Sequence, residues 1–208
     1  MSKNGGMETT EVTEGTSTSR AVRDEGEDAH LAAVRDAAIR HAPKHKRLIR
    51  SARGGRILSA IMLPFFLIRP PAGFGVLTTT GRKTGKARQK CIRAIRRGRK
   101  VYIVQLRPPE LAITRPSAVA AWVWNIRSNP NVTLRVRGGT FAGVARELKD
   151  PAELADAREA FCETVKLFDY GECATHMRGR PTRSKIQELH WYWFETGIPL
   201  AIEFVEVS

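Results

Sequence analysis

Apolar residues first recur at helical spacing at Leu31, Val34, Ala38 and Ile39, and Pro43 stops the pattern, so a helix is expected over residues 28–39. Residues 1–28 are mostly Thr, Glu, Ser and Gly with almost no large apolar side chain. Ordering them would bury too little surface to offset the lost backbone entropy, and a disordered tail is expected there. Residues 57–68 form the most apolar run, interrupted by Pro64 and bracketed by Arg56 and Arg69. That run is too short to span a bilayer. It reads either as a helix packed under a sheet or as one lying in the interface of an anionic membrane, where apolar burial and nearby cations act additively.

After Pro70-Pro71 the period shortens to two, and strands are expected over residues 74–80, 88–95 and 100–106, with turn chemistry at 81–85 and at Arg97-Gly98. A helix is expected over 117–127, with Pro116 at its first turn and Asn129-Pro130 ending it. Val132, Leu134 and Val136 alternate, Gly138-Gly139 signals a hairpin, and 140–148 returns. Asp150-Pro151-Ala152-Glu153 combines an N-cap, a first-turn proline and an acid at N3, which predicts a helix to about residue 168. Residues 200–207 read as a last strand. Hairpins with helices inserted between them point to the α+β class, an antiparallel barrel or sheet with flanking helices. The expected organisation is a tail over 1–28, a basic helical arm and apolar segment over 29–69, and one barrel domain over 70–208.

Charge changes this picture. The formal net charge is +14, and between His41 and Arg107 the chain has no acidic residue while Lys and Arg recur throughout. The rest of the chain is net acidic, so one side of the molecule is expected to be electropositive and to attract a polyanion: nucleic acid, anionic lipid, or a phosphorylated or polycarboxylate cofactor. Three cysteines, Cys91, Cys162 and Cys173, are odd in number and scattered, which fits a reducing cytosol better than a disulfide framework. The N-terminus has no basic segment followed by an apolar core, so a secretory signal is not expected.

The centre of the acid-free stretch is Thr78-Thr79-Thr80-Gly81-Arg82-Lys83-Thr84-Gly85-Lys86-Ala87-Arg88, a strand running into a glycine-flanked basic turn. Such a turn brings backbone amides close to an anion while Arg82, Lys83, Thr84 and Arg88 supply charge and a hydroxyl. It is not a nucleotide P-loop: three residues separate Gly81 from Gly85 where four are needed, and Ala87 stands in place of the magnesium-binding Ser or Thr. No metal site is expected, since Cys173-x-x-His176 lacks a second pair and His41-x-x-x-His45 spans Pro43.

Residues 77–88 resemble the signature of the deazaflavin-dependent nitroreductase and quinone reductase family, which uses coenzyme F420 on an FMN-binding-like split β-barrel. A second block, Trp122-Val123-Trp124-Asn125-Ile126-Arg127-Ser128-Asn129-Pro130-Asn131-Val132, resembles that family's Trp-x-x-Asn-Leu-x-Ala-Asn-Pro-x-Val, and Ile198-Pro199 matches more weakly. The likeness is good over roughly residues 70–165 and absent from the first 45. It implies that Arg82, Lys83, Thr84, Gly85, Arg88 and Arg107 surround the coenzyme's phosphate and acidic tail, and that Ala121, Trp122 and Asn125 border its rings. Departures accompany it. Leu106-Arg107-Pro108-Pro109 stands where the family commonly has Ser-Lys-Gly-Gly, and the segment 168–194 is longer than the family's tyrosine-bearing one.

Within that segment His190-Trp191-Tyr192-Trp193-Phe194 reads either as a substrate wall, with Tyr192 as proton donor, or as a packed anchor. The resemblance implies an oxidoreductase that passes hydride from the deazaflavin, or alternatively FMN, to a quinone, nitroaromatic or activated alkene. The alternatives are a non-catalytic coenzyme carrier and a basic module for nucleic acid or anionic membrane. Nucleic acid is disfavoured because the acid-free stretch holds only Phe65, Phe66, Phe74 and Tyr102 for stacking and no known nucleic-acid motif. The expected location is cytoplasmic, with residues 40–69 as the candidate contact to the inner membrane face.

Overall fold

The structure, a computed structural model, describes residues 14–205. Seven strands, β1 (Phe74–Thr80), β2 (Ala87–Arg93), β3 (Ile95–Arg97), β4 (Lys100–Gln105), β5 (Asn131–Val136), β6 (Gly139–Glu147) and β7 (Ile198–Phe204), form one sheet in the order β2-β1-β5-β6-β7-β4-β3. Every pairing is antiparallel. Gly138 and Gly139 take positive φ angles of 109° and 149° in the β5–β6 turn, a conformation that side chains with a Cβ rarely adopt.

Strand alternation curls this sheet. Leu77, Ile92, Val101, Ile103, Val132, Leu134, Ala145 and Ile202, drawn from six strands, meet in one buried cluster around Val123 and Ile126 of α4 (Ala121–Ser128). The sheet is thus a half-barrel with α4 packed into its concave side, the split β-barrel expected from the sequence. On its outer side Tyr102, Val104 and Ala201 pack with Val34 and Ala38 of α1 (Glu14–His41), Ala157 and Phe161 of α5 (Pro151–Glu163), and Leu189, Tyr192 and Trp193 of α7 (Arg183–Thr196). The segment expected as an arm is therefore part of the core. A third cluster joins Phe66, Met62 and Leu63 of α2 (Ala52–Ile68) to Phe74 and Val76 of β1 and to Phe168 of α6 (Leu167–His176).

The differences from expectation have local causes. The first 13 residues of the expected tail lie outside the described residues, and from Glu14 the chain is already helical. Its early turns are rich in Gly, Thr and Ser, which are weak helix formers, and have no apolar stripe, so neither propensity nor periodicity reveals them. The helix expected over 117–127 starts at Ala121, and a short α3 (Pro109–Thr114) precedes it. Gln105 explains the delay: its Nε2 donates to the Ala118 carbonyl at 3.0 Å and its Oε1 accepts from the Ala120 amide at 2.7 Å, which holds the chain extended up to residue 120.

The helix expected from 150 to 168 is two helices, α5 and α6. Asp150 caps α5 by accepting from the Glu153 amide at 2.8 Å, as its sequence predicts. At the break after Glu163 the Arg93 guanidinium takes the Thr164 carbonyl (2.5 Å) and ion-pairs with Asp169, whose other oxygen accepts from the Lys166 amide. Helix α7 has no counterpart among the expected elements because it is buried on most sides and shows no clean apolar stripe.

Candidate functional site

The turn after β1 is shaped by glycine and threonine. The amides of Thr84 and Gly85 donate to the Gly81 carbonyl at 3.1 and 2.7 Å, the Gly81 amide donates to the Lys86 carbonyl at 2.9 Å, and Gly85 sits at φ 66°. Asn125 then fixes this turn against α4. Its Nδ2 donates to the Thr79 hydroxyl at 3.0 Å and its Oδ1 accepts from the Arg82 amide at 3.1 Å. Among the described residues no side chain caps α4, so the amides of its first residues, Ala121 and Trp122, have no side-chain partner beside the basic turn. An unpaired helix N-terminus next to fixed cations is an anion site on elementary electrostatics.

Elsewhere on the molecule several bases are matched with acids: Arg97 with Asp156 and Glu159, Lys100 and Arg146 with Glu153, Arg127 with Glu147. Glu153, held between those two cations, has its carboxyl depressed to about 2 by their hydrogen bonds. Among the described residues Arg82, Lys83, Lys86 and Arg88 have no acidic partner, and all four are exposed. The Arg82 guanidinium lies over the Trp124 ring, 5.3 Å from its centroid.

Arg82, Lys83, Thr84 and Arg88 line a cavity of about 1040 Å³ together with Ala121, Trp122 and Asn125. The structure thus brings seven of the expected binding residues to one space, with Gly85 shaping the turn beside them. Helix α2 forms one wall through Arg56, Leu58, Ser59 and Met62, and Leu106 and Pro108 another. A deeper wall consists of Arg93, Phe168, Glu172, His176 and Trp193, which the sequence pattern does not single out as a group.

Besides Gly85, two expected residues do not line this space. Arg107 is 4% exposed, and its guanidinium donates to the carbonyls of Ala118 (3.1 Å) and Thr196 (2.5 Å), fastening the loop before α4 to the end of α7. Tyr192 is 1% exposed, donates its hydroxyl to the Arg107 carbonyl at 3.1 Å, and stacks on His41 with centroids 4.8 Å apart. Burial drives its phenol well above the ordinary range. Both side chains are structural here: the aromatic run 190–194 is the packed anchor of the two readings, with only Trp193 reaching the cavity.

Asp169, Glu172 and His190 place one ligand-type atom each within 4.8 Å of one another. The Arg93 guanidinium already sits on the Asp169 carboxylate, so a fixed cation occupies the charge that a metal ion would need.

The sequence profile of the F420H(2)-dependent quinone reductase family matches residues 70–175, just over half of the chain. The chain belongs to that family. Membership in the F420H(2)-dependent quinone reductases assigns coenzyme F420 as the cofactor. Among solved structures, an F420-H2 dependent reductase is 18% identical over 64% of this chain and 96% of its own, with a TM-score of 0.42. A putative pyridoxamine 5'-phosphate oxidase from Listeria innocua is 12% identical over 72% and 94%, TM-score 0.37. An FAD-binding protein from Mesorhizobium loti is 14% identical over 71% and 91%, TM-score 0.39. No curated protein matches the sequence.

The residues present fit this quinone reductase family's coenzyme. Its phosphodiester and polyglutamate tail are anions, and the unmatched cations of the turn, with the uncapped start of α4, are the donors such groups require.

Proposed function

We propose that this protein binds reduced coenzyme F420 with its phosphate and acidic tail on Arg82, Lys83, Thr84, Arg88 and the α4 N-terminus, and reduces a quinone, nitroaromatic or activated alkene in the adjoining cavity. The observation that carries this reading is the cluster of acid-free cations opening on a cavity whose other walls are largely apolar. When bound, the coenzyme supplies hydride. The chain's part is to hold the anionic end by charge-assisted hydrogen bonds, to border the ring system with Ala121, Trp122 and Asn125, and to exclude water with α2 and the 106–120 loop. Leu106 offers no hydrogen-bond donor where the family commonly has a serine. The charge that hydride brings to the acceptor must be met from another wall.

The test is an equilibrium titration of the purified protein with coenzyme F420 and, in parallel, FMN. Saturable deazaflavin binding tighter than FMN binding is expected; none below high micromolar concentration overturns the reading.

The acceptor class gains support from α2. Its inner face packs on β1, while Ile57 (49% exposed), Ile61 (60%), Phe65 (63%) and Ile68 (79%) form an outward stripe at i, i+4, i+8 and i+11, flanked by exposed Arg53, Arg56 and Arg69. No helix among the described residues is long and apolar enough to cross a membrane. An apolar stripe framed by arginines is instead suited to an anionic bilayer surface, where apolar quinones partition, and α2 is also a cavity wall. Flotation with vesicles containing phosphatidylglycerol checks this: the protein is expected to float and an Ile61→Ser/Phe65→Ser variant to stay behind, whereas equal behaviour of the two discards the membrane contact.

A further inference from the structure

Transfer of hydride to a quinone or nitro oxygen system also requires a proton, and neither Leu106 nor Tyr192 is placed to give one. Glu172, on α6, faces the cavity. Among the described residues its carboxyl makes no hydrogen bond and no ion pair, although it is only partly exposed. Around it stand Arg93 from β2, Asp169 and His176 from its own helix, His190 from α7, and Lys90 and His45 elsewhere along the cavity wall. Arg93 is occupied by Asp169, and burial keeps the three histidines neutral, His45 near 4 and His176 and His190 near 3. The Glu172 carboxyl therefore loses the stabilisation its anion would need. Burial, aided by the Asp169 charge and only partly countered by Arg93, pushes it up to about 8.

Resting on the proposed reductase reading, we infer that Glu172 is the proton donor to the acceptor. Its O–H bond breaks as a new O–H bond forms on the acceptor oxygen, while the reduced coenzyme supplies the hydride pair. The acceptor leaves as the two-electron-reduced, protonated product, and the Glu172 carboxylate takes a proton back from water at the cavity mouth. A carboxylic acid kept neutral at the working pH, yet able to release its proton when charge develops beside it, is the form general acid catalysis needs. Cys91, raised by burial, is a weaker acid. Lys90, whose ammonium is made more acidic by burial, is the competing donor on this wall.

The experiment has two readouts. In the coenzyme-free protein, isotope-edited infrared spectra of Glu172→Gln against the parent should show a protonated carboxyl at pH 7 that disappears with a midpoint near 8. In single-turnover reduction of a soluble quinone, the parent rate should fall as pH rises through that midpoint, because the protonated donor is lost. Glu172→Gln should be at least tenfold slower (general acids contribute roughly 10²–10⁴), should lose this alkaline limb, and should bind the coenzyme within about twofold of the parent. The inference is overturned if no such carboxyl exists at pH 7, if Glu172→Gln keeps the parent rate, or if the limb survives in that variant and vanishes in Lys90→Met. A parent that binds no coenzyme sinks the reductase reading instead, and the infrared titration then decides the protonation state of Glu172 independently of it.

Discussion

Strand β2 carries arginine at both ends, and the two do opposite work. Arg88, beside the turn, is exposed, lines the cavity and has no acid partner among the described residues. Arg93, five residues along, is 5% exposed, pairs with Asp169, bonds the Thr164 carbonyl and lies between the Phe74 and Phe161 rings at 5.7 and 5.2 Å. One charge is left available; the other is consumed in joining β2 to the α5–α6 break. A run of bases therefore marks an anion site only where the fold withholds the acids. The sequence around both residues is equally acid-free, and it is α6, some 76 positions downstream of Arg93, that separates them.

The largest effect is expected at the buried end. Arg93→Met leaves the Asp169 carboxyl in the core without its cation, and removing one partner of a buried pair costs about 3–5 kcal/mol. Adding Asp169→Asn removes that carboxyl while retaining an acceptor for the Lys166 amide, so the double variant is expected to regain part of the loss. Urea unfolding of the parent, the single and the double variants measures this. A single variant within about 0.5 kcal/mol of the parent, the scale of an ordinary surface change, would show that Arg93 is no more structural than Arg88.

What can be read from the sequence is whatever depends on neighbours in the chain. β1 runs over the expected residues, the Gly81–Gly85 turn and the Gly138-Gly139 hairpin follow from backbone freedom, and the Asp150 cap follows from a side chain reaching three residues on. Seven expected binding residues share one cavity because two local motifs, the turn and the start of α4, are stitched by Asn125. Long-range packing is not legible. Arg107 and Tyr192 carry the right chemical groups, but each spends a polar atom across 85 or more positions of chain, Tyr192 on Arg107 and Arg107 on Thr196. Glu172 gives no local signal at all: what raises the carboxyl of one glutamate in a helix turn is burial, produced only when β2, α6 and α7 close around it.

At the exposed end the opposite pattern is expected: a loss of binding without a loss of stability. In Arg82→Ala/Lys83→Ala the turn itself should persist, because its bonds run through backbone amides, Asn125 and Thr84 rather than through the two charged side chains. The stability cost is then limited to the stacking of Arg82 on Trp124, about 0.5 kcal/mol for an exposed cation on a ring. Each lost charge-assisted bond to an anion is worth about 1.5 kcal/mol or more, so losing both should weaken coenzyme F420 affinity by about a hundredfold or more at low salt, given that about 1.4 kcal/mol is a factor of ten. The deficit should shrink as salt rises, because the screening length falls to about 3 Å at 1 M and exposed charges stop contributing over distance. Calorimetric titration at two salt concentrations, with the unfolding midpoint recorded alongside, separates the cases. Affinity equal to the parent's at both salts would remove these two residues from the site, and a deficit that ignores salt would assign them a shape role in place of a charge role.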